Sequence, residues 1–300
     1  MKNTKSSICA VCKKASGEKI LFKKNFNIVK DLNREIFSAR RLPDKIHGTI
    51  VKCQECGLVR SLEIIDRNQL NKLYTDSDFT YSNLTDNLRQ TYKLILKTAG
   101  RYVPKKSSFL EIGCGNGFML EEAKQLGYKS VAGVEPSVDA ISHAAKTIKK
   151  YITNSILEKD TFPAAKFDLI CLFQVFDHIP DPNEFLSICH KILKPKGVLV
   201  LMNHDTQSIS AKILSERSPI YDIEHTYLYD QATIRQILTN NQFKVKKVYS
   251  PPAIMTIRYI ARLLPLPKAI KRFLSGLKLS ILDKTIKFQP GNLCAIAIKQ

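Results

Sequence analysis

Five consecutive residues, Gly113-Cys114-Gly115-Asn116-Gly117, follow the short apolar run Phe109-Leu110-Glu111-Ile112, and a carboxylate, Glu135, comes 20 positions after Gly115. A glycine-rich turn between a first strand and a first helix lets a ligand lie against bare backbone amides. A carboxylate ending the second strand accepts both hydroxyls of a ribose, each charge-assisted bond being worth roughly 1.5–3 kcal/mol. The chemistry on offer is recognition of an adenosine. A dinucleotide fingerprint needs its third glycine at position 118, where the chain has Phe118. The spacing Gly113, Gly115, Gly117 points instead to S-adenosylmethionine. Expected contacts are Glu111, Gly113, Cys114, Gly115, Asn116, Gly117, Glu135 and Pro136. Ser155 and Ile156 are expected near the adenine, and Phe173 and Gln174 where the fourth strand opens onto the crevice.

Eight cysteines supply a second chemistry. Cys9-Ala10-Val11-Cys12 and Cys53-Gln54-Glu55-Cys56 are paired C-x-x-C knuckles, each a tight turn aiming two thiolates at one metal. Together they complete a tetrahedral zinc site with no open position, hence a structural one. A redox dithiol is the alternative. Cys114, Cys171, Cys189 and Cys294 lie among apolar residues and read as small core side chains.

The elements that must position these groups alternate from residue 107 onward. Strands are expected at 109–112, 131–134, around Ile152, at 167–173, 198–202, 243–249 and 294–298, with helices between most of them. Ser137 caps one helix and Asp181-Pro182 opens another. That rhythm predicts an α/β, doubly wound sheet. Residues 1–60 are expected to be a small four-cysteine zinc unit and 61–106 a helical connector in which Phe79 and Tyr81 turn inward. Residues 107–300 are the main domain. Within it, 251–291 forms a helical insertion split by Pro265 and Pro267.

The chain has 300 residues, 44% of them hydrophobic, so a fully disordered protein is excluded. Its net charge of +20 sits at the ends: +9 over 1–60, +11 over 241–300, and zero between. Basic flanks suit an anionic partner: nucleic acid, a lipid surface or a phosphorylated substrate. The basic amphipathic stretch 251–291, with Arg258 and Arg262 four apart, suits contact with an anionic membrane, or else a lid or homodimer face with solvated lysines. The start, Met1-Lys2-Asn3-Thr4-Lys5, has no apolar run behind it, so a cytoplasmic location is expected.

Segment 107–203 resembles the class I S-adenosylmethionine-dependent methyltransferases. The resemblance rests on Glu111 to Gly117, Gly133-Val134-Glu135-Pro136-Ser137, Asp177-His178-Ile179-Pro180-Asp181-Pro182 and Leu193-Lys194-Pro195-Lys196-Gly197. It implies a seven-stranded sheet whose last strand is antiparallel. Cys53 to Val59, with Leu73-Tyr74, Tyr81-Ser82 and Glu224-His225-Thr226-Tyr227, resembles the zinc-binding front and a Glu-His segment of sugar methyltransferases, which implies a nucleotide-linked or lipid-linked glycan acceptor. Asp222 stands where the carbon-methylating members usually carry Tyr. His225 is the expected base, because an imidazole titrates near neutrality, with Glu224 orienting it. His178 is expected to tie a helix start. Tyr227 and Tyr81 are expected in the acceptor pocket. A nucleic-acid methyltransferase and a non-catalytic cofactor-binding scaffold are the competing readings. The first lacks the Asn/Asp-Pro-Pro-aromatic motif after the fourth strand, where Phe173-Gln174-Val175-Phe176 stands.

Overall fold

The computed structural model describes residues 8–14, 17–27, 46–79, 85–263 and 280–300. Tyr81, Pro265, Pro267 and most of the expected second insertion helix therefore lie outside the described residues, as does the side chain of Arg262.

Three short strands open the chain: β1 (Glu18–Phe22), β2 (Ile50–Cys53) and β3 (Val59–Ser61). Helices α1 (Arg67–Thr75) and α2 (Thr85–Ala99) follow. The alternating part runs β4 (Ser108–Ile112), α3 (Phe118–Gln125), β5 (Ser130–Val134), α4 (Val138–Ser142), α5 (Lys146–Lys149), β6 (Ile152–Thr153) and β7 (Phe167–Phe173). It continues through α6 (Pro182–Ile192), β8 (Leu193–His204), α7 (Ile209–Leu214), β9 (Tyr227–Leu228), α8 (Gln231–Asn240) and β10 (Phe243–Tyr249). The end comprises β11 (Ala253–Thr256), α9 (Ile257–Leu263), β12 (Thr285–Phe288) and β13 (Asn292–Lys299).

The central sheet has the order β10-β13-β8-β7-β4-β5-β6. Strands β6, β5, β4, β7 and β8 pair in parallel, and β13 runs antiparallel between β8 and β10. The seven-stranded sheet with a reversed last strand is thus as expected. Both faces are apolar, as a sheet covered by helices on each side requires. Ile170 and Leu172 of β7 face one core, with Phe185 and Ile192 of α6 and Ile234 of α8. Leu169, Cys171 and Phe173 face the other, with Tyr92 of α2 and Phe118 of α3. The caps are those expected: Ser137 Oγ accepts from Ala140 N (3.1 Å), and Asp181 Oδ1 from Glu184 N (3.1 Å) ahead of Pro182.

Two arrangements differ from expectation. The N-terminal unit does not close on itself. Its four-stranded sheet, β1-β2-β3-β9, takes its last strand from residues 227–228 of the main domain. Its Cys9–Cys12 knuckle is docked as well: Asn183 Nδ2 donates to Ala10 O (2.9 Å) and Asn240 Nδ2 to Val11 O (3.0 Å). Segment 251–291 begins and ends as strands, since β11 and β12 form an antiparallel pair from Ala253↔Phe288 to Thr256↔Thr285, and only α9 of the described part is an α-helix. Met255-Thr256 and Thr285-Ile286 carry the β-branched residues that favour this pairing. No helix among the described residues is long and apolar enough to cross a membrane.

Candidate active site

A cleft opens at the C-terminal ends of β4, β5 and β7, the edge where open α/β sheets take ligands. It is open to solvent at its mouth and walled on its other sides by the strand ends, α1 and the start of α6. Gly113, Glu135, Pro136, Ser155, Ile156 and Gln174 line it. Helix α1 and the segment to Phe79 form its opposite wall, through Leu70, Tyr74 and Phe79. Phe79 is held there by its amide, which donates to Asp139 Oδ2 (2.7 Å), and by stacking on His143 at 4.9 Å.

The glycine turn is shaped by its neighbours. Gly113 has φ +70°, and a Cβ there would meet Val175 Cγ2 at 2.5 Å. Gly117 caps α3 with φ +75°, and its Cβ would meet Ile148 Cγ2 at 2.6 Å. Neither position admits a side chain. Glu135, 9% exposed, ties the turn to β5: its Oε2 accepts from Gly115 N (2.8 Å) and its Oε1 from Ser137 N (2.9 Å). The side chain reaches the cleft wall. Glu135 is thus a buried, pre-positioned acceptor beside Gly113 on the cleft wall, the arrangement that suits ribose hydroxyls. Gln174, at the end of β7, lies in the left-handed region (φ 59°), an uncommon conformation for a non-glycine residue that aims it at the cleft.

Not every expected contact lines the cleft. Glu111, Cys114, Gly115, Asn116 and Gly117 do not, because Glu111 and Cys114 are buried beneath the turn and Gly117 faces Ile148 and Ile152. Phe173 is corrected outright. Strand alternation sends it to the opposite face, where it is fully buried and stacks on Tyr92 at 4.2 Å. Tyr227 is likewise buried in β9 beside the cysteine knuckle and not in the cleft.

Past Gln174 the wall becomes ionisable. His178 and Tyr74 line it, with Tyr74 Oη 2.7 Å from His178 Nδ1. Behind His178 stands Asp177, fully buried, with His204 Nδ1 at 3.0 Å and His225 Nε2 at 3.9 Å from its Oδ2 and His178 Nε2 at 3.6 Å from its Oδ1. Burial alone would push the Asp177 carboxyl up, but the three imidazoles hold it well below the usual carboxylate range. Burial, reinforced by His204 and opposed by Asp177, drives His225 down to about 3, so its ring is neutral near pH 7. Burial and the carboxylates of Glu224, Asp177 and Glu135 push the Tyr74 phenol well up. The expected base, His225, and its neighbour Glu224 are both buried, and neither lines the cleft; His178 does. Sequence reasoning missed His204 and the central place of Asp177, although Asp177-His178 stood in a recognised segment.

The four knuckle sulfurs lie within 4.8 Å of one another, with Cys9–Cys56 at 3.4 Å and Cys12–Cys53 at 3.6 Å. A tetrahedral zinc with bonds of roughly 2.3 Å sets its sulfurs about 3.8 Å apart, so the donor set fits one ion. Against the effect of burial, the backbone amides of Cys56 and Glu55 bring the Cys53 thiol down to about 7, whereas burial holds the Cys12 and Cys56 thiols above their ordinary range. The other four cysteines are buried.

The chain is thus an α/β protein with a ligand-sized cleft at its strand ends, and comparison with known proteins places it further. The family described as a methyltransferase domain matches residues 84–248, and the chain belongs to that family, the S-adenosylmethionine-dependent methyltransferases. Curated relatives include the ubiquinone biosynthesis O-methyltransferases of Rhodopseudomonas palustris strain TIE-1 (31% identical over 111 residues) and Bradyrhizobium sp. strain ORS 278 (34% over 113). Each match covers 35% of this chain and 44% of the relative, so it spans under half of those proteins. Among solved structures, a SAM-dependent methyltransferase from Archaeoglobus fulgidus aligns with 74% of this chain and all of its own, at 20% identity and a TM-score of 0.48.

Proposed function

We propose that the protein methylates a hydroxyl of a small-molecule acceptor, and that the acceptor is a nucleotide-linked or lipid-linked sugar. The observation that carries the reading is the Tyr74–His178 pair, which lies in the same cleft wall as the ribose-type carboxylate Glu135. The bound cofactor would supply an electrophilic methyl on a positive sulfur. Gly113, Glu135, Pro136, Ser155, Ile156 and Gln174 would hold it, and α1 with Phe79 would exclude water. An acceptor oxygen must come within about 3–3.5 Å of the methyl carbon, in line with the departing sulfur. The Tyr74–His178 pair takes the hydroxyl proton: Tyr74 Oη accepts it from the acceptor while passing its own proton to His178 Nδ1 at 2.7 Å, and Asp177 faces the far nitrogen of the ring. His225 and Glu224 back this pair and do not touch the acceptor. The sugar assignment draws on the resemblance around Cys53–Val59 and Glu224–Tyr227 and on the basic ends of the chain, which suit a phosphorylated carrier.

The four cysteines hold one structural zinc in this proposal. The basic 251–291 segment gives the protein a peripheral hold on an anionic membrane, where a lipid-linked acceptor would be presented. A second reading, methylation of a ubiquinone precursor, is favoured by the activity for which those relatives are named. A labelled-methyl screen decides between them. Transfer to nucleotide sugars or lipid-linked glycans supports the proposal; transfer only to ubiquinone precursors, or only to RNA, overturns the sugar acceptor.

A further inference from the structure

Behind the cleft wall, Asp177, His204 and His225 bring one ligand atom each to within 4.8 Å of the others. The three come from separate places: Asp177 from the turn after β7, His204 from the end of β8, His225 from the loop before β9. Two features of this cluster are unsatisfied as it stands. Asp177 is fully buried, yet its Oδ1 has no hydrogen-bond partner, with His178 Nε2 no closer than 3.6 Å. His225 Nδ1 lies 2.9 Å from Ile220 O and must donate to it. Its Nε2 then faces an Asp177 carboxylate oxygen from 3.9 Å, too far for a hydrogen bond. A buried carboxylate with an unpartnered oxygen and two imidazole nitrogens gathered around it is a donor set that a cation can fill. The carbonyl bond on the far nitrogen is also how a metal-ligating histidine is normally oriented.

We propose that Asp177, His204 and His225 form a second metal site, distinct from the four cysteines, that binds one divalent transition-metal ion. Two imidazoles and one carboxylate suit zinc, cobalt, iron(II) or manganese over magnesium or calcium. Ligand edges in such a site are about 3–3.5 Å for bonds of roughly 2.1 Å, and the observed separations of 3.0 and 3.9 Å close to that with small side-chain movements. The side chain of His204 is 26% exposed, which leaves a path for the ion to enter. Three protein ligands leave coordination positions open, as catalytic rather than structural metal sites do.

The test is cobalt(II) titration of the full chain with its cysteine site already filled by zinc. One further equivalent is expected, with visible bands that lack the intense sulfur charge-transfer absorption of a thiolate site. His204→Gln and Asp177→Asn should each weaken cobalt binding about tenfold or more, while S-adenosylmethionine binding of His204→Gln stays as in the parent and certifies its fold. Absence of a second equivalent in the unmodified protein, or unaltered cobalt affinity in His204→Gln, overturns the site. A protein that takes no cobalt and still transfers methyl groups loses this site and keeps the proposed function.

Discussion

At the glycine end of the cleft, Ile112, Gly113, Val134, Glu135 and Pro136 line the wall, all within 112–136 and braced by the two hydrogen bonds that Glu135 accepts. At the histidine end Tyr74 and His178 face the cleft with Asp177, His204 and His225 behind them, and the five meet only because α1, β7, β8 and β9 converge. The first end is rigid by local geometry. The second is assembled across the chain, and one of its supports lies outside the main sheet: Ser61 N of β3 donates to Thr226 O (2.9 Å), and Thr226 N to Asp177 O (2.9 Å). The hydrogen bonds therefore run from the strand beside the cysteine knuckle to the residue after His225 and on to Asp177. A general cofactor grip and a particular acceptor site can thus vary separately on one scaffold.

Substitutions that strike the two ends should separate affinity from turnover. The largest effect is expected at Glu135. Glu135→Ala removes the acceptor of two backbone amides as well as of the ribose hydroxyls. At roughly 1.5–3 kcal/mol per bond and about 1.4 kcal/mol per decade, S-adenosylmethionine affinity should fall by two orders of magnitude or more in calorimetric titration. Affinity within threefold of the parent would mean that this carboxylate does not hold the ribose. Next comes His178→Ala, at the other end. General-base loss costs about 10²–10⁴-fold, so kcat should drop by that factor while cofactor affinity stays within a few-fold. A matching loss of affinity would show that the two ends are not separable.

The same division explains what was legible beforehand. The strands, Gly113 and Glu135 could be read because each is announced by neighbours within a few residues: an apolar run, a turn, a cap. Phe173 misled because strand alternation, not position along β7, decides which face a side chain takes. His225 was singled out for its imidazole, but what matters for proton transfer is which imidazole reaches the cleft, and that depends on the packing of His178 against Tyr74. His204 carried no local signal, since it is the last residue of a buried strand with no motif around it. The strands at both ends of 251–291 escaped notice because their partners are some thirty residues apart in sequence.

Zinc removal tests whether the two ends are mechanically independent. Cys53→Ser should lower metal content by one zinc per chain in elemental analysis. It should also reduce methyl transfer, because β3 loses its anchor and with it the Ser61–Thr226 link to the histidine end. Cofactor affinity should change little, since among the described residues neither knuckle lines the cleft. A protein that keeps full turnover without the metal would show that the β3–β9 pairing holds the histidine end unaided.

The smallest effect isolates the knuckle from its metal. Asn183 Nδ2 donates to Ala10 O (2.9 Å), and Asn183 Oδ1 accepts from Asn241 Nδ2 (3.0 Å). Asn183→Ala deletes both bonds and leaves the buried knuckle carbonyl unpaired, at about 0.5–1.5 kcal/mol per lost bond and somewhat more for the stranded group. The sulfur geometry is untouched, so zinc content should remain at one per chain while the melting temperature falls by a few degrees. If zinc is lost along with that stability, docking against α6 is what closes the metal site. If neither changes, the thiolates alone fix the knuckle, and Asn183 is a passenger on α6.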